Sequence, residues 1–302
     1  MSRRIGWALL AIALAALGLL LPHFWLFVAV EVVVFALYAV SFNVLLGYGG
    51  MLSFGHAAFF GVGAYALALL VTKGALAVPL ALGLAPLAAA LVAAGIGYLS
   101  VRLTGIYFAM LTFAFQMLLY TVALKASWLT GGDDGITGLR ASGLLAGPRP
   151  WYFAAVALVA LALWCLHGVV ASPFGYVLRA LRANPVRTQS LGVNVRAHQW
   201  ATFVLTGAFA GLAGALFALS TGSVFPAWLN WTASATPIVM AVLGGIRAFA
   251  GPVVGAAVYV LLETVVTGYT EYWPLVMGTI IVALVVLLPD GLMSLRDRGA
   301  RR

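Results

Sequence analysis

ASPFGYVLRALRANPVRTQSLGVNVRAH, residues 171–198, is the one long polar segment in a chain that is otherwise almost wholly apolar. It carries Arg179, Arg182, Arg187 and Arg196 and no acid. An apolar run of about 20 residues, enough to cross a bilayer, flanks it on each side, at 150–170 and 200–219. A basic segment between two spans cannot lie in lipid, and the excess of arginine places it in the cytoplasm. Its interior carries helix signals. Ser172 and Pro173 read as an N-cap and a first helical residue. Phe174, Val177, Leu178 and Leu181 recur at helical spacing, with Arg179 and Arg182 among them. Asn184-Pro185 breaks that helix, and Val186 to Leu191 suits a second short one, stopped by Gly192. A loop facing only water needs no apolar stripe, so the stripe predicts a partner that covers it.

Working outward, the composition is 64% hydrophobic and 8% charged, against about 25% charged in soluble domains. This excludes a soluble enzyme and predicts an all-α polytopic membrane protein, with residues 1–302 forming a single transmembrane domain. Candidate spans lie at 5–21, 25–46, 55–72, 77–99, 105–124, 151–170, 200–219, 233–245, 251–267 and 274–289. The runs 55–72, 233–245 and 251–267 are short or glycine-rich and read as half-helices or re-entrant segments. The start, MSRRIGWALLAIALAALGLLL, resembles a signal peptide but lacks a clear cleavage site, so it reads as an uncleaved first span. With both ends inside, twelve basic residues fall on the cytoplasmic side: Arg3, Arg4, Arg102, the four of 171–198, Arg247, Arg296, Arg298, Arg301 and Arg302. Four, Lys73, Lys125, Arg140 and Arg149, fall outside. The net charge of +9 is therefore a topology signal and not a nucleic-acid footprint. All tryptophans but Trp164 sit near proposed span ends, as an interfacial belt requires.

Cys165 is the only cysteine, and His23, His56, His167 and His198 are scattered, which excludes an internal disulfide and a cysteine metal site. No phosphate-loop motif exists, so the chain does not hydrolyse ATP by itself. Glu31 and Glu263 lie within spans, towards the outer ends; they either bond to a neighbouring helix or serve transport or a proton relay. In the outer loop 126–149, Asp133 and Asp134 read as local turns or as a contact for an external partner. The glycine-dense stretch 43–65 is either a tight turn or a discontinuous helix lining a pathway. On the second reading the pathway candidates are Asn43, Gly47, Gly50, Ser53, Gly55 and His56, joined by Gly244 and Gly245. Gly207 with Gly211, and Gly251 with Gly255, form G-x-x-x-G pairs that let helices approach closely. GHAAFFGVGAY (55–65) faintly echoes GPVVGAAVY (251–259).

The strings FNVLLGYGGMLSFGHAAFFGVGAY, TGIYFAMLTFAF, LTGGDDGITGL, SPFGYVLRALRANPVRTQSLGVNV, FAGLAGALFALSTG, VMAVLGGIRAFAGPVVGAAVYVLLE and LPDGL occur in this order. In this the chain resembles the permeases of branched-chain amino acid ABC importers, and within them the LivM-type subunit more than LivH. The resemblance spans Asn43 to Leu292. It implies a multi-pass permease of the bacterial inner membrane, and the count of basic residues puts both termini in the cytoplasm. The implied partners are a second homologous permease, two cytoplasmic ATPases, a periplasmic binding protein and membrane lipid, with no cofactor and no nucleic acid. It also implies that 172–198 is the segment docking on the ATPase, through Phe174, Gly175, Arg179, Ala180, Arg182, Ala183, Asn184, Leu191 and Gly192. The apolar stripe adds Leu178 and Leu181 to that set. One departure stands out: Ala183, Pro185 and Gln189 occupy positions where family members usually carry acids.

The expected function is translocation of branched-chain or related amino acids by alternating access, driven by the partner ATPases. The competing reading is a proton-coupled carrier working alone, with Glu31 and Glu263 as its proton sites. Relatives of the family also move urea, short amides and aromatic acids.

Overall fold

In a computed structural model, residues 18–139, 146–269, 272–287 and 291–293 are described. The chain is built from apolar helices. They are α1 (His23–Asn43), α2 (His56–Thr72), α3 (Val78–Ser100), α4 (Ile106–Lys125) and the single turn α5 (Ser127–Thr130). After them come α6 (Pro148–Ala171), α7 (Pro173–Ala183), α8 (Pro185–Ser190), α9 (Val195–Thr221), α10 (Trp231–Gly244), α11 (Gly251–Thr267) and α12 (Trp273–Leu287). Every candidate span from 25–46 onward coincides with one of these helices. The first candidate, 5–21, lies almost entirely outside the described residues, as do Arg3, Arg4, Arg140 and the carboxyl-terminal arginines.

Among the described residues, five helices, α1 with its continuation to Tyr48, α3, α4, α6 and α9, are long and apolar enough to cross a membrane. At 1.5 Å per residue, the 26 residues of His23–Tyr48 extend about 39 Å. Four apolar helices are shorter: α2 and α11 have 17 residues each, α12 has 15 and α10 has 14. The 14 residues of α10 reach only about 21 Å, less than the ~30 Å hydrocarbon core. Non-helical backbone must then continue at membrane depth, which is stable only when covered by protein. The break before α2 is covered in the same way, since Met51, Ser53 and Gly55 are buried.

The centre of the bundle is α9, packed on α2, α3 and α1, while α1 also lies against α11, α6 and α10. Small residues set these distances. A Cβ on Gly63 of α2 would overlap the backbone of Gly211 on α9, and one on Gly214 would overlap the Phe60 carbonyl. A Cβ on Gly207 would lie 2.6 Å from Ala93 of α3. The Gly207–Gly211 pair is thus helix-packing glue, as its spacing indicates. α4 and α6 sit at the rim and leave Tyr107, Met110, Leu118, Leu161 and Trp164 exposed, an apolar surface suited to lipid.

One end of the bundle carries α7 and α8. The other is closed by a two-stranded ladder pairing Ile136–Thr137 with Ser223–Val224. There, Lys73 donates to the carbonyls of Trp128 (2.7 Å) and Leu129 (3.0 Å). Asp133 and Asp134 form a 3₁₀ turn with Gly132. The turn is made by glycines at positive φ, Gly131 at 81° and Gly135 at 66°, and not by aspartate side chains.

Candidate functional site

The segment 172–198 folds as its sequence spells out. Pro173 starts α7, and Ser172 holds the N-cap position with φ −80° and ψ 169°. The Ser172 hydroxyl, however, donates backward to the Val169 carbonyl at 2.7 Å and makes no cap bond. Asn184 ends α7 and caps α8, its side-chain oxygen accepting from the Arg187 amide at 2.9 Å. Gly192 leaves α8 with φ 85°.

The apolar stripe is satisfied from within. Leu178 and Leu181 are 0% and 4% exposed because α7 packs on α6, α9 and the turn after α1. Gly175 permits this closeness, since a Cβ there would overlap the Val170 carbonyl. The inference that only a partner could cover the stripe therefore needs correcting: the bundle covers Leu178 and Leu181 itself. Phe174 is half-buried and stacks on His198 at 5.5 Å. What the segment exposes is Tyr176, Arg179, Ala180, Arg182, Ala183, Asn184, Val186, Arg187, Leu191 and Gly192. That face is basic with two apolar points, Val186 at 73% and Leu191 at 79% exposure. Ala183, Pro185 and Gln189 also lie on it, so no acid interrupts it.

From this face two arginines reach into the bundle. α1 does not stop at Asn43 but widens into a π turn over Val44–Tyr48, a local distortion of a kind often found at functional sites. Arg182 donates to the Gly47 carbonyl in that turn. Its aliphatic stem covers Gly50, which has φ 69°. Arg179 donates to the Val170 carbonyl at 2.7 Å, and its guanidinium lies 5.6 Å from the Tyr48 ring. The candidate docking segment and the glycine-dense break are thus one contiguous unit.

The structure also brings the pathway candidates together, in a packed state. Gly47 lies against the Ile246 carbonyl, in the loop between α10 and α11. Gly244 and Gly245 meet Gly251 backbone to backbone, and Gly255 meets the Met240 carbonyl. Beyond the break, Ser53 bonds the Gly55 amide at 3.1 Å. His56 is buried, bonded through Nε2 to the Ser41 hydroxyl at 2.9 Å and stacked on Tyr38 at 5.4 Å. The Asn43 side-chain oxygen and His56 Nδ1 are buried without a partner. None of the pathway candidates lines the cavity at the ladder end or the one beside Glu31, although Tyr38, on which His56 stacks, lines the latter. Sequence reasoning gave no role to the segment after α12. The amides of Leu292 and Met293 donate to the carbonyls of Leu243 and Gly244 at 2.9 and 3.1 Å, tying that segment to the end of α10.

Also unforeseen is a cavity of about 230 Å³ between α1, α2, α9, α10 and α11. It joins Glu31 to Glu263, treated above as separate acids near two helix ends. Tyr38, Tyr259 and Thr236 line it with them, together with Phe35, Phe60, Phe217 and Trp228. The small residues Ala36, Ala39 and Ala256, where α1 and α11 pack with α10, were the available signal that these two helices meet.

A family model described as the permease component of the branched-chain amino acid transport system matches residues 24–285. The high-affinity branched-chain amino acid transport system permease protein LivM of Escherichia coli K12 is 28% identical over 295 residues, covering 89% of this chain and 69% of that one. LivH of Salmonella typhimurium is 24% identical over 172 residues, covering 56% of this chain and 53% of that one. No solved structure was found to match the chain.

Proposed function

Because the chain belongs to the branched-chain amino acid transport permease family, we propose that it is one of two permease subunits of an ATP-driven importer of branched-chain amino acids. It works in the bacterial inner membrane beside a LivH-like subunit, two cytoplasmic ATPases and a periplasmic binding protein. The family is one of transport permeases and not of enzymes, and no phosphate loop is present in the chain. Energy must come from outside, and the α7–α8 face is where it enters. The observation that carries this reading is the linkage of that face to the π turn through Arg182 and Gly47. A push on α7 is delivered to the break before α2, where Gly47 touches the α10–α11 loop. Rearranging those packed glycines opens the path, and their small size lets backbones slide. The face is basic and free of acids, so the ATPase surface that meets it is acidic at its rim, where charge sets register more than affinity.

Uptake by the reconstituted importer is expected to require ATP and to persist in the presence of a proton uncoupler at fixed ATP. Uptake that collapses with the uncoupler and ignores ATP would establish the proton-carrier reading in its place.

The orientation has its own test. In a Cys165→Ala background, Asp134→Cys should react with an impermeant thiol reagent added from outside. Ser190→Cys should react only after the membrane is opened. Both positions are exposed, so access depends on sidedness alone. Equal labelling from outside would refute the assignment of 171–198 to the cytoplasm.

A further inference from the structure

The cavity between α1 and α11 has the chemistry of a solute site. Glu31 lies eight residues into α1, about 12 Å from its start. Glu263 sits four residues before the end of α11. α1 and α11 run antiparallel in the fold, so the two carboxylates share one level of the bundle, nearer the end opposite α7. A carboxylate inside a membrane is costly unless it is paired. Among the described residues neither forms an ion pair, and the two share one cavity whose lining holds no Lys, Arg or His. Two acids facing one another repel; an ammonium ion between them would relieve both. Around them the walls are aromatic, offering faces that attract a cation and apolar surface for a hydrocarbon chain. The volume, about 230 Å³, is below the ~300–1,000 Å³ of drug-sized ligand sites and suits a single amino acid.

We propose that this cavity holds the transported amino acid within the membrane, its ammonium group between Glu31 and Glu263 and its hydrocarbon side chain against Phe60, Phe217 and Trp228. The proposal rests on the importer reading above and adds the place and the group recognised. Tyr259 stands one helical turn before Glu263 on the same face, and its hydroxyl is within hydrogen-bonding reach of Thr236. These hydroxyls line the same cavity and offer the solute further polar contacts. Recognition of this kind distinguishes an amino acid from the same skeleton without its amine. A site built to pair a charged group rejects the analogue that lacks it, because the buried groups are then left unmatched.

The test uses the complete importer in proteoliposomes, with L-leucine and 4-methyl-2-oxopentanoate, the same skeleton lacking the amine, as probes. A hydrophobic carbodiimide, which modifies carboxyl groups in apolar surroundings, should attach to Glu31 or Glu263, as read by peptide mass spectrometry. L-Leucine should slow that attachment and the oxo acid should not. Glu31→Gln and Glu263→Gln should each lower ATP-driven leucine uptake about tenfold or more, the loss of one charge-assisted contact, while still copurifying with the ATPase. Attachment at equal rates with and without leucine overturns the proposal, as does parental leucine uptake by both variants. If the parent protein shows no ATP-driven leucine uptake, the importer reading fails instead. Leucine protection of the carboxyls is read without ATP, so it judges the cavity separately.

Discussion

Gly63→Val is expected to abolish accumulation of the folded permease. Gly63 lies where α2 crosses α9, and a Cβ there would overlap the carbonyl and Cα of Gly211. The obstacle is backbone on a central helix, so no rotamer change relieves it. The same crossing is closed from the other side, because a Cβ on Gly214 would overlap the Phe60 carbonyl. To admit valine, α2 and α9 must move apart and vacate their contacts with α3 and α1. Overpacking a fitted core costs about 1–3 kcal/mol even when side chains can adjust, and more is expected here. Gly95→Ala, in α3, is the matched control: a Cβ there meets nothing within 4 Å. It should be neutral or stabilise by about 0.5–1 kcal/mol, since alanine favours helix interiors. Fluorescence-detected size exclusion after heating would check both. A Gly63→Val protein that runs and melts like the parent would show that α2 and α9 are not locked at this crossing.

The spans and the boundaries of α7 and α8 were legible because their causes are local. Helix length follows from apolar runs, and Pro173, Asn184-Pro185 and Gly192 punctuate the chain wherever it folds. The direction of the stripe was not legible. Leu178 and Leu181 announce that something covers them, but periodicity does not say whether the cover is a partner or the chain's own α6 and α9. The π turn at Val44–Tyr48 has no sequence signature, and only the neighbouring glycines hinted at a distortion. The meeting of Glu31 and Glu263 joins positions 232 residues apart, since 263 − 31 = 232, and depends on α1 packing against α11. Of the residues named by family resemblance, Arg179, Ala180, Arg182, Ala183, Asn184, Leu191 and Gly192 lie on the exposed face, while Gly175 is buried and Phe174 half-buried.

That division of α7 into a buried and an exposed face leads to two distinct outcomes from one kind of substitution. Leu181→Asp is expected to destabilise the permease itself. Leu181 is 4% exposed, on the side of α7 that packs against the bundle. The aspartate loses the buried leucine, a deletion worth about 2–5 kcal/mol, and sets an unpaired charge in its place. α7 should detach, and with it go the Arg182–Gly47 and Arg179–Val170 contacts. Melting temperature, ATPase copurification and transport should all fall together. Leu191→Asp should behave differently. Leu191 is 79% exposed just past α8, so the permease alone should melt as the parent does. Only copurification of the ATPase and its coupled hydrolysis should weaken, by about 1.5–3 kcal/mol for one apolar side chain no longer buried at the interface. Arg187→Ala, on the same face, should cost less and more so at low salt, as a rim charge does. If Leu181→Asp leaves stability untouched, α7 is not anchored on the bundle and cannot transmit a push. If Leu191→Asp binds its ATPase as tightly as the parent, the exposed basic face is a topology signal only, and the motor grips the permease elsewhere.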